Sequence, residues 1–265
     1  MSEKELRNVF WRNELKEINA LNSLNQFNTN RVEYIGYPIL LLIVMWTIYI
    51  ADSQLELGMY RLGVNPRSID GLTGVLFMPL IHSQQDFNHI LNNSVPTLIL
   101  LMSLIYFYRS IALKVFGIIW IMTGLLTWFL ARENYHIGMS GVIYGLVGFL
   151  FLSGAIRNYR PLMGVSLFIV FLYGSLIWGI FPMQEHVSWE GHLFGFISGL
   201  VLAFLFRAQG PQTPKYRYEI EQEMGIEPED LEAKWRALNQ VETNYEEEPV
   251  TYNYEYVRKR KEDEG

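Results

Sequence analysis

Four polar side chains in apolar surroundings have the types that acyl-transfer chemistry requires. His89 and Asn93 stand four residues apart in NHILNNS, Ser140 stands in GMSG, and His192 stands in EGHLFGFISG. A serine hydroxyl is a weak nucleophile that needs an adjacent base, which a histidine supplies. Amide, imidazole and backbone N–H groups are suitable donors to an oxyanion. Because no intramembrane acid accompanies His192, the residues predict a Ser–His dyad rather than a triad.

The chain that must position these residues is rich in long apolar segments. Half of its 265 residues are hydrophobic, and about 20 mainly apolar residues are enough for a helix to cross a bilayer. We therefore predict an all-α polytopic membrane protein, a bundle of six transmembrane helices. The predicted spans are 35–51, 88–107, 111–130, 138–156, 161–181 and 190–206.

The spans divide the chain into three predicted regions. Residues 1–34 form an amino-terminal cytoplasmic segment, 35–206 the six-span catalytic domain, and 207–265 an acidic cytoplasmic tail. The tail holds fifteen acids and nine bases, which accounts for the whole net charge of −6, so no nucleic-acid partner is implied. Within the tail, EPEDLEAKWRAL has the acids and apolar spacing of a helix.

Lys and Arg residues predict which side of the membrane each loop occupies, because they are retained on the cytoplasmic face. With both termini inside, the inner segments hold eighteen of the twenty-one bases, and the outer loops keep only Arg61, Arg67 and Arg132. The predicted orientation is N-in, C-in. All five histidines then fall on the outer side, and three different spans bring the four polar residues to one level. Intramembrane polar residues at one depth indicate a functional site.

Small residues predict which helices meet. Gly141 and Gly145 follow Ser140 on span four, and Gly195 and Gly199 follow His192 on span six. Small residues let membrane helices approach closely, and a Ser–His hydrogen bond of about 3 Å requires such an approach. Tyr144, one turn below the serine, is placed to pack against the imidazole and hold its rotamer.

Three motifs together resemble the signature elements of the rhomboid family of intramembrane serine proteases. They are HILNN at 89–93, GMSGVIYG at 138–145 (which includes Gly138) and GHLFGFISG at 191–199, in order on the second, fourth and sixth spans. The resemblance covers about residues 35–206. GxSG alone is a weak signal, whereas the set of three is specific.

The resemblance implies roles for individual residues. Ser140 would be the nucleophile and His192 the base, with an oxyanion hole formed by His89, Asn93 and the backbone of Ser140 and Met139. The substrates implied are transmembrane protein helices that unwind near the outer surface. The 52–87 connection would be a membrane-embedded loop, and span five a lateral gate.

Other functional hypotheses remain open beside that of an intramembrane protease. A rhomboid-like protein without activity, which binds client transmembrane helices, is the first alternative; a six-span transporter ranks below it, because no midplane acids or half-to-half similarity occur. We expect no cofactor and no metal, since His82, His136 and His186 read as loop residues without paired ligand spacing. A short amino terminus without a transit signature favours a bacterial cytoplasmic membrane. The sequence does not indicate the oligomeric state.

Overall fold

The computed structural model describes residues 31–183, 187–213, 215–225, 233, 235 and 236, and these are helical with no β-strand. The chain divides into two units, 1–214 and 215–265. Six longer helices occur among the described residues of the first unit. They are α1 (Arg31–Leu55), α2 (Phe87–Phe107), α3 (Ala112–Leu130), α4 (Ser140–Ile156), α5 (Arg160–Tyr173) and α6 (Trp189–Leu205).

Four helical segments of the described residues are long and apolar enough to cross a membrane, which makes the chain an integral membrane protein. Helices α4 and α6 are also apolar but have 17 residues each, so the six-span count stays a prediction. The four segments are Glu33–Leu55, Phe87–Phe107, Ala112–Leu130 and Arg160–Ile180, the last of which continues α5 through a 3-10 helix, Gly174–Ile180.

The connection between α1 and α2 consists of short helical turns that are hydrogen-bonded to the carboxyl-terminal end of α3. Trp128 Nε1 donates to Ser68 O at 2.7 Å, and Arg67 Nη1 donates to Ala131 O at 2.7 Å. These bonds hold an otherwise irregular segment against the bundle. The turns are Met59–Leu62, Asp70–Thr73, Gly74–Phe77 and Met78–Leu80.

Helices α4 and α6 pack with their backbones in direct contact at glycines. A Cβ added to Gly195 would overlap the carbonyl oxygen of Gly141, and one added to Gly199 would overlap that of Gly145. Small residues permit this separation, as the glycine spacing of both helices predicts. The contact sets the distance between any groups that the two helices carry on their facing sides.

A buried arginine joins the carboxyl-terminal ends of α4 and α6. The Arg157 guanidinium donates to Ser153 Oγ at 2.9 Å, to Phe206 O at 2.6 Å and to Pro211 O at 2.7 Å. Two of these acceptors lie at or after the end of α6, where helix carbonyls lack intrahelical partners. Residues 207–213 therefore belong to the first unit, whereas the predicted tail began at 207.

The second unit is described mainly over residues 215–225. Over these residues the chain forms a short helix, α7 (Arg217–Glu223), whose first turn is capped by a bond from the Tyr216 N–H to Glu219 Oε2 at 2.8 Å. The helix predicted in EPEDLEAKWRAL lies outside the described residues except for 233, 235 and 236. At the other end of the chain α1 begins at Arg31, before the predicted boundary at 34, and residues 1–30 lie outside the described ones.

We predict that Arg157→Lys destabilises the protein, because an ammonium group cannot reach the three acceptors that the planar guanidinium bonds. The expected loss is about 1–3 kcal/mol in the free energy of unfolding. Thermal unfolding in detergent micelles measures it. The exposed Arg160→Lys is the matched control and should leave the midpoint unchanged. Equal midpoints for the two variants would remove the proposed anchoring role of Arg157.

Candidate active site

Ser140 and His192 are hydrogen-bonded to each other, with 2.8 Å between Ser140 Oγ and His192 Nε2. Ser140 is the first residue of α4, and His192 lies in the first turn of α6. The two helices are in close contact at Gly141, which directly follows Ser140, and at Gly195, three residues after His192. This contact brings the two side chains together. The structure thus joins two residues that are 52 positions apart in the sequence.

The second ring nitrogen of His192 fixes which nitrogen carries the proton. Nδ1 lies 2.9 Å from the carbonyl oxygen of Gly179, which can only accept a hydrogen bond. Nδ1 must therefore be the N–H donor, and Nε2 then has the free lone pair that faces the Ser140 hydroxyl. This is the tautomer that a general base needs.

Tyr144 holds the imidazole from one side. Its ring lies parallel to that of His192, with centroids 4.3 Å apart and an angle of 9° between the planes. The Tyr144 hydroxyl donates to Leu176 O at 2.7 Å, which fixes the phenol ring to the 3-10 helix after α5. His192 is thus confined by a stacked ring and by a carbonyl of the same 3-10 helix.

Gly179 is a site residue that the sequence did not indicate. A Cβ at this position would overlap the Tyr144 hydroxyl and would lie 3.3 Å from His192 Nδ1. Only glycine therefore lets the 3-10 helix approach both rings closely enough for its carbonyl to bond Nδ1. No local pattern distinguishes Gly179 from the other glycines of its segment.

His89 and Asn93 approach the residues just before Ser140. A Cβ on Gly138, whose φ is +107°, would overlap His89 Nε2 and would lie 3.7 Å from Asn93 Nδ2. The Ser83 N–H donates to His89 Nδ1 at 3.4 Å, so His89 Nε2 carries the proton. Asn93 Nδ2 donates to His89 O at 2.8 Å and has a second N–H.

These side chains line an open cavity of about 580 Å³. Both members of the Ser140–His192 pair contribute to its wall, together with His89, Asn93 and Tyr144. Within the residues that the structure describes, no group of three or more His, Asp or Glu side chains could hold a metal ion. The cavity therefore combines a nucleophile, a base and several N–H donors.

The backbone N–H of Met139 has an acceptor in this structure. We expected its backbone N–H to face an oxyanion, but this N–H is buried and donates to His82 Nε2 at 3.4 Å. Burial, with a smaller contribution from His89, lowers the pKa of His82 to about 3, so the ring is neutral and can accept this bond. His82 lies in a loop, as expected, yet only 2% of it is exposed, and it supports the turn before Ser140.

His136 is likewise a buried loop residue. It exchanges backbone hydrogen bonds with Val64, and its Nδ1 lies 2.6 Å from Ser188 Oγ. Burial lowers the pKa of His136. His136 therefore connects its own loop to Val64 and to Ser188. His186 lies outside the described residues.

The fold and the site define a helical membrane protein with a serine–histidine pair in an open cavity. The Rhomboid domain model matches residues 70–209, a range that contains all four polar site residues. The chain belongs to the rhomboid family.

Two mycobacterial proteins are among those similar to this chain. An uncharacterized protein of Mycobacterium tuberculosis is 33% identical over 194 residues, which is 68% of this chain and 79% of that protein. An uncharacterized protein of Mycobacterium leprae is 29% identical over 196 residues, 69% of this chain and 76% of that protein. The similarity of both extends well beyond the three motifs.

We predict that Gly179→Ala destabilises the protein, because the added methyl group collides with the Tyr144 hydroxyl. An overpacked site costs about 1–3 kcal/mol. Gly174→Ala is the matched control in the same 3-10 helix, since its Cβ would meet only Val170 Cγ1 at 3.8 Å. Unfolding midpoints of the two variants should differ by several degrees, and a difference within error would contradict the contact.

Proposed function

We propose that this protein is an intramembrane serine endopeptidase that hydrolyses peptide bonds of transmembrane protein substrates near the outer membrane face. The observation that carries the proposal is the 2.8 Å contact between Ser140 Oγ and a His192 Nε2 whose tautomer makes it the acceptor. Membership of the rhomboid family supports the same reaction class. No cofactor is required, because both steps use the dyad and water.

In the first step Ser140 Oγ attacks the carbonyl carbon of the scissile peptide bond. His192 Nε2 takes the hydroxyl proton, and the resulting imidazolium remains bonded through Nδ1–H to Gly179 O. The tetrahedral intermediate then collapses, and the C–N bond breaks as Nε2–H transfers its proton to the leaving amine. The product is an acyl-enzyme on Ser140 and a released amine fragment.

In the second step water enters from the outer cavity and attacks the acyl carbonyl carbon. His192 Nε2 removes a proton from this water, and it later returns the proton to Ser140 Oγ as the ester bond breaks. The carboxylate fragment then leaves, and the dyad is restored. Tyr144 keeps the imidazole in the same plane throughout.

The negative oxygen of each intermediate needs hydrogen-bond donors, and three groups are suitable. They are His89 Nε2–H, the second N–H of Asn93, and the backbone N–H of Ser140. The last of these belongs to the first turn of α4, where N–H groups have no intrahelical acceptor and the helix dipole favours negative charge. Met139 is not part of this set.

The proposed membrane placement has six spans with both termini in the cytoplasm. A 17-residue helix rises about 26 Å, so α4 and α6 need their flanking residues to cross a hydrocarbon core of about 30 Å. The dyad then lies just below the outer surface, within reach of water. A bacterial cytoplasmic membrane fits the distribution of Lys and Arg, and the substrates would be helices of other membrane proteins.

We predict that a fluorophosphonate probe labels the folded, detergent-solubilised protein on Ser140. Labelling should vanish in Ser140→Ala and His192→Ala, because an unactivated serine reacts too slowly to detect. Ser103→Ala is the control: Ser103 bonds Ile99 O within α2 and should not affect labelling. Folded wild-type protein without label would favour the alternative, a catalytically silent protein that binds client helices.

We predict that Asn93→Ala lowers the rate of probe labelling roughly a hundredfold, because loss of one oxyanion donor removes stabilisation that exists mainly in the transition state. The second-order rate constant of labelling measures the effect. Asn88→Ala, an exposed change one helical turn earlier on α2, should react like wild type. Unchanged labelling of Asn93→Ala would exclude its amide from the oxyanion hole.

A further inference from the structure

A cluster of polar contacts on the outer surface joins the two chain segments that lead into the dyad. One segment, 131–139, directly precedes Ser140, and the other, 187–191, directly precedes His192. Four side chains form the cluster, which we name the outer latch: Arg132, His136, Ser188 and Glu190.

The contacts of the latch are short. His136 Nδ1 lies 2.6 Å from Ser188 Oγ, and Arg132 Nη2 donates to Val187 O at 2.8 Å. Arg132 Nε lies 3.1 Å from Glu190 Oε1. Three links thus connect the loop before α4 with the entry to α6. His136 is four residues before Ser140, and Glu190 is two residues before His192.

The hydrogen-bond directions within the latch are determined by its acceptors. His136 Nε2 lies 3.0 Å from the carbonyl oxygen of Arg132, so this nitrogen must be the donor. Nδ1 therefore accepts, and the Ser188 hydroxyl donates to it. The neutral form of His136, which burial favours by lowering its pKa, satisfies both bonds.

Glu190 is the unusual member, because it is an acid buried in the first turn of α6, where we had expected no acid to accompany His192. Only 4% of the residue is exposed, whereas the Arg132 side chain is 42% exposed. Desolvation offsets much of the attraction in a buried ion pair, so such a pair contributes little net stability. A role in fixing geometry accounts better for an acid at this position, two residues from the base.

Glu190 does not act as the third member of a triad. His192 Nδ1 bonds Gly179 O, and Glu190 Oε1 pairs with Arg132 on the opposite side of the α6 entry. Its influence on His192 therefore passes through the backbone of the first turn of α6 and through the attraction of its charge for a protonated ring.

We propose that Glu190 and Arg132 are positioning residues for the reaction. Their ion pair fixes the first turn of α6 against the loop that leads into α4, and this sets the approach of the His192 ring to the Ser140 hydroxyl. The inference rests on the proposed function. It predicts that loss of the ion pair slows the chemical step at Ser140 without weakening probe binding.

The test is the concentration dependence of fluorophosphonate inactivation, which separates the maximal rate constant kinact from the apparent binding constant KI. Glu190→Gln keeps the shape of the side chain and removes its charge. We expect kinact to fall roughly tenfold or more, since small misplacement of reacting groups is costly, with KI within about twofold of wild type. The unfolding midpoint, measured in the same detergent, should change by only a few degrees.

Glu133→Gln is the matched control. Glu133 lies on the same loop and pairs with Arg67 at 3.6 Å, but its side chain is 83% exposed. This variant should match wild type in kinact, KI and midpoint. Arg132→Lys, which keeps both charges but loses the fork geometry, is measured beside Glu190→Gln, or in its place if that variant does not fold, and should show the same lowered kinact. A kinact that falls in Glu190→Gln but not in Arg132→Lys indicates a direct effect of the Glu190 charge and overturns the positioning role.

The outcomes separate the two proposals. Wild-type labelling that depends on Ser140 and His192, with kinact unchanged in the latch variant, overturns the positioning role and leaves the proposed function intact. A lower kinact with a comparable rise in KI and a large fall in the unfolding midpoint also overturns it, because that pattern indicates a general loosening of the structure. Folded wild-type protein without any label overturns the proposed function and this inference with it.

Discussion

The backbone contact between α4 and α6 is the constraint on which the candidate site depends. Gly141 meets Gly195, and Gly145 meets Gly199, so closely that a single Cβ at either α6 glycine would overlap a carbonyl oxygen. Lipid tails are as apolar as leucine side chains, so helices in a membrane associate through such close packing and through polar contacts. The Ser140–His192 distance of 2.8 Å follows from the helix separation that these glycines set.

The His192 ring is oriented without a carboxylate, although an acid lies two residues away. In a triad an aspartate holds the tautomer and stabilises the imidazolium. Here the Gly179 carbonyl performs the first task, and the Tyr144 ring limits rotation. A neutral acceptor stabilises the imidazolium less than an aspartate does, but it introduces no further charge into an apolar region. The nearby acid, Glu190, is instead paired with Arg132.

Local sequence patterns predicted the helices and much of the candidate site. Long apolar segments gave helix positions close to the observed ones, and i, i+4 spacing put His89 and Asn93 on one face of α2. Contacts that depend on distant backbone atoms could not be predicted in this way. Gly179 is important only because another segment brings Tyr144 and His192 against it, and no local pattern indicates that His82, 57 residues away, accepts the N–H of Met139.

The segment that orients the base is also among the most exposed parts of the bundle. Leu167 and Phe171 on α5 are 72% and 84% exposed, and the 3-10 helix that follows supplies both Leu176 O and Gly179 O. Segments with few buried apolar contacts open at lower free-energy cost than the core. Any displacement of this segment removes the acceptor of His192 Nδ1 and the anchor of Tyr144 together. A displaced segment and an imidazole held in the orientation seen here therefore exclude each other.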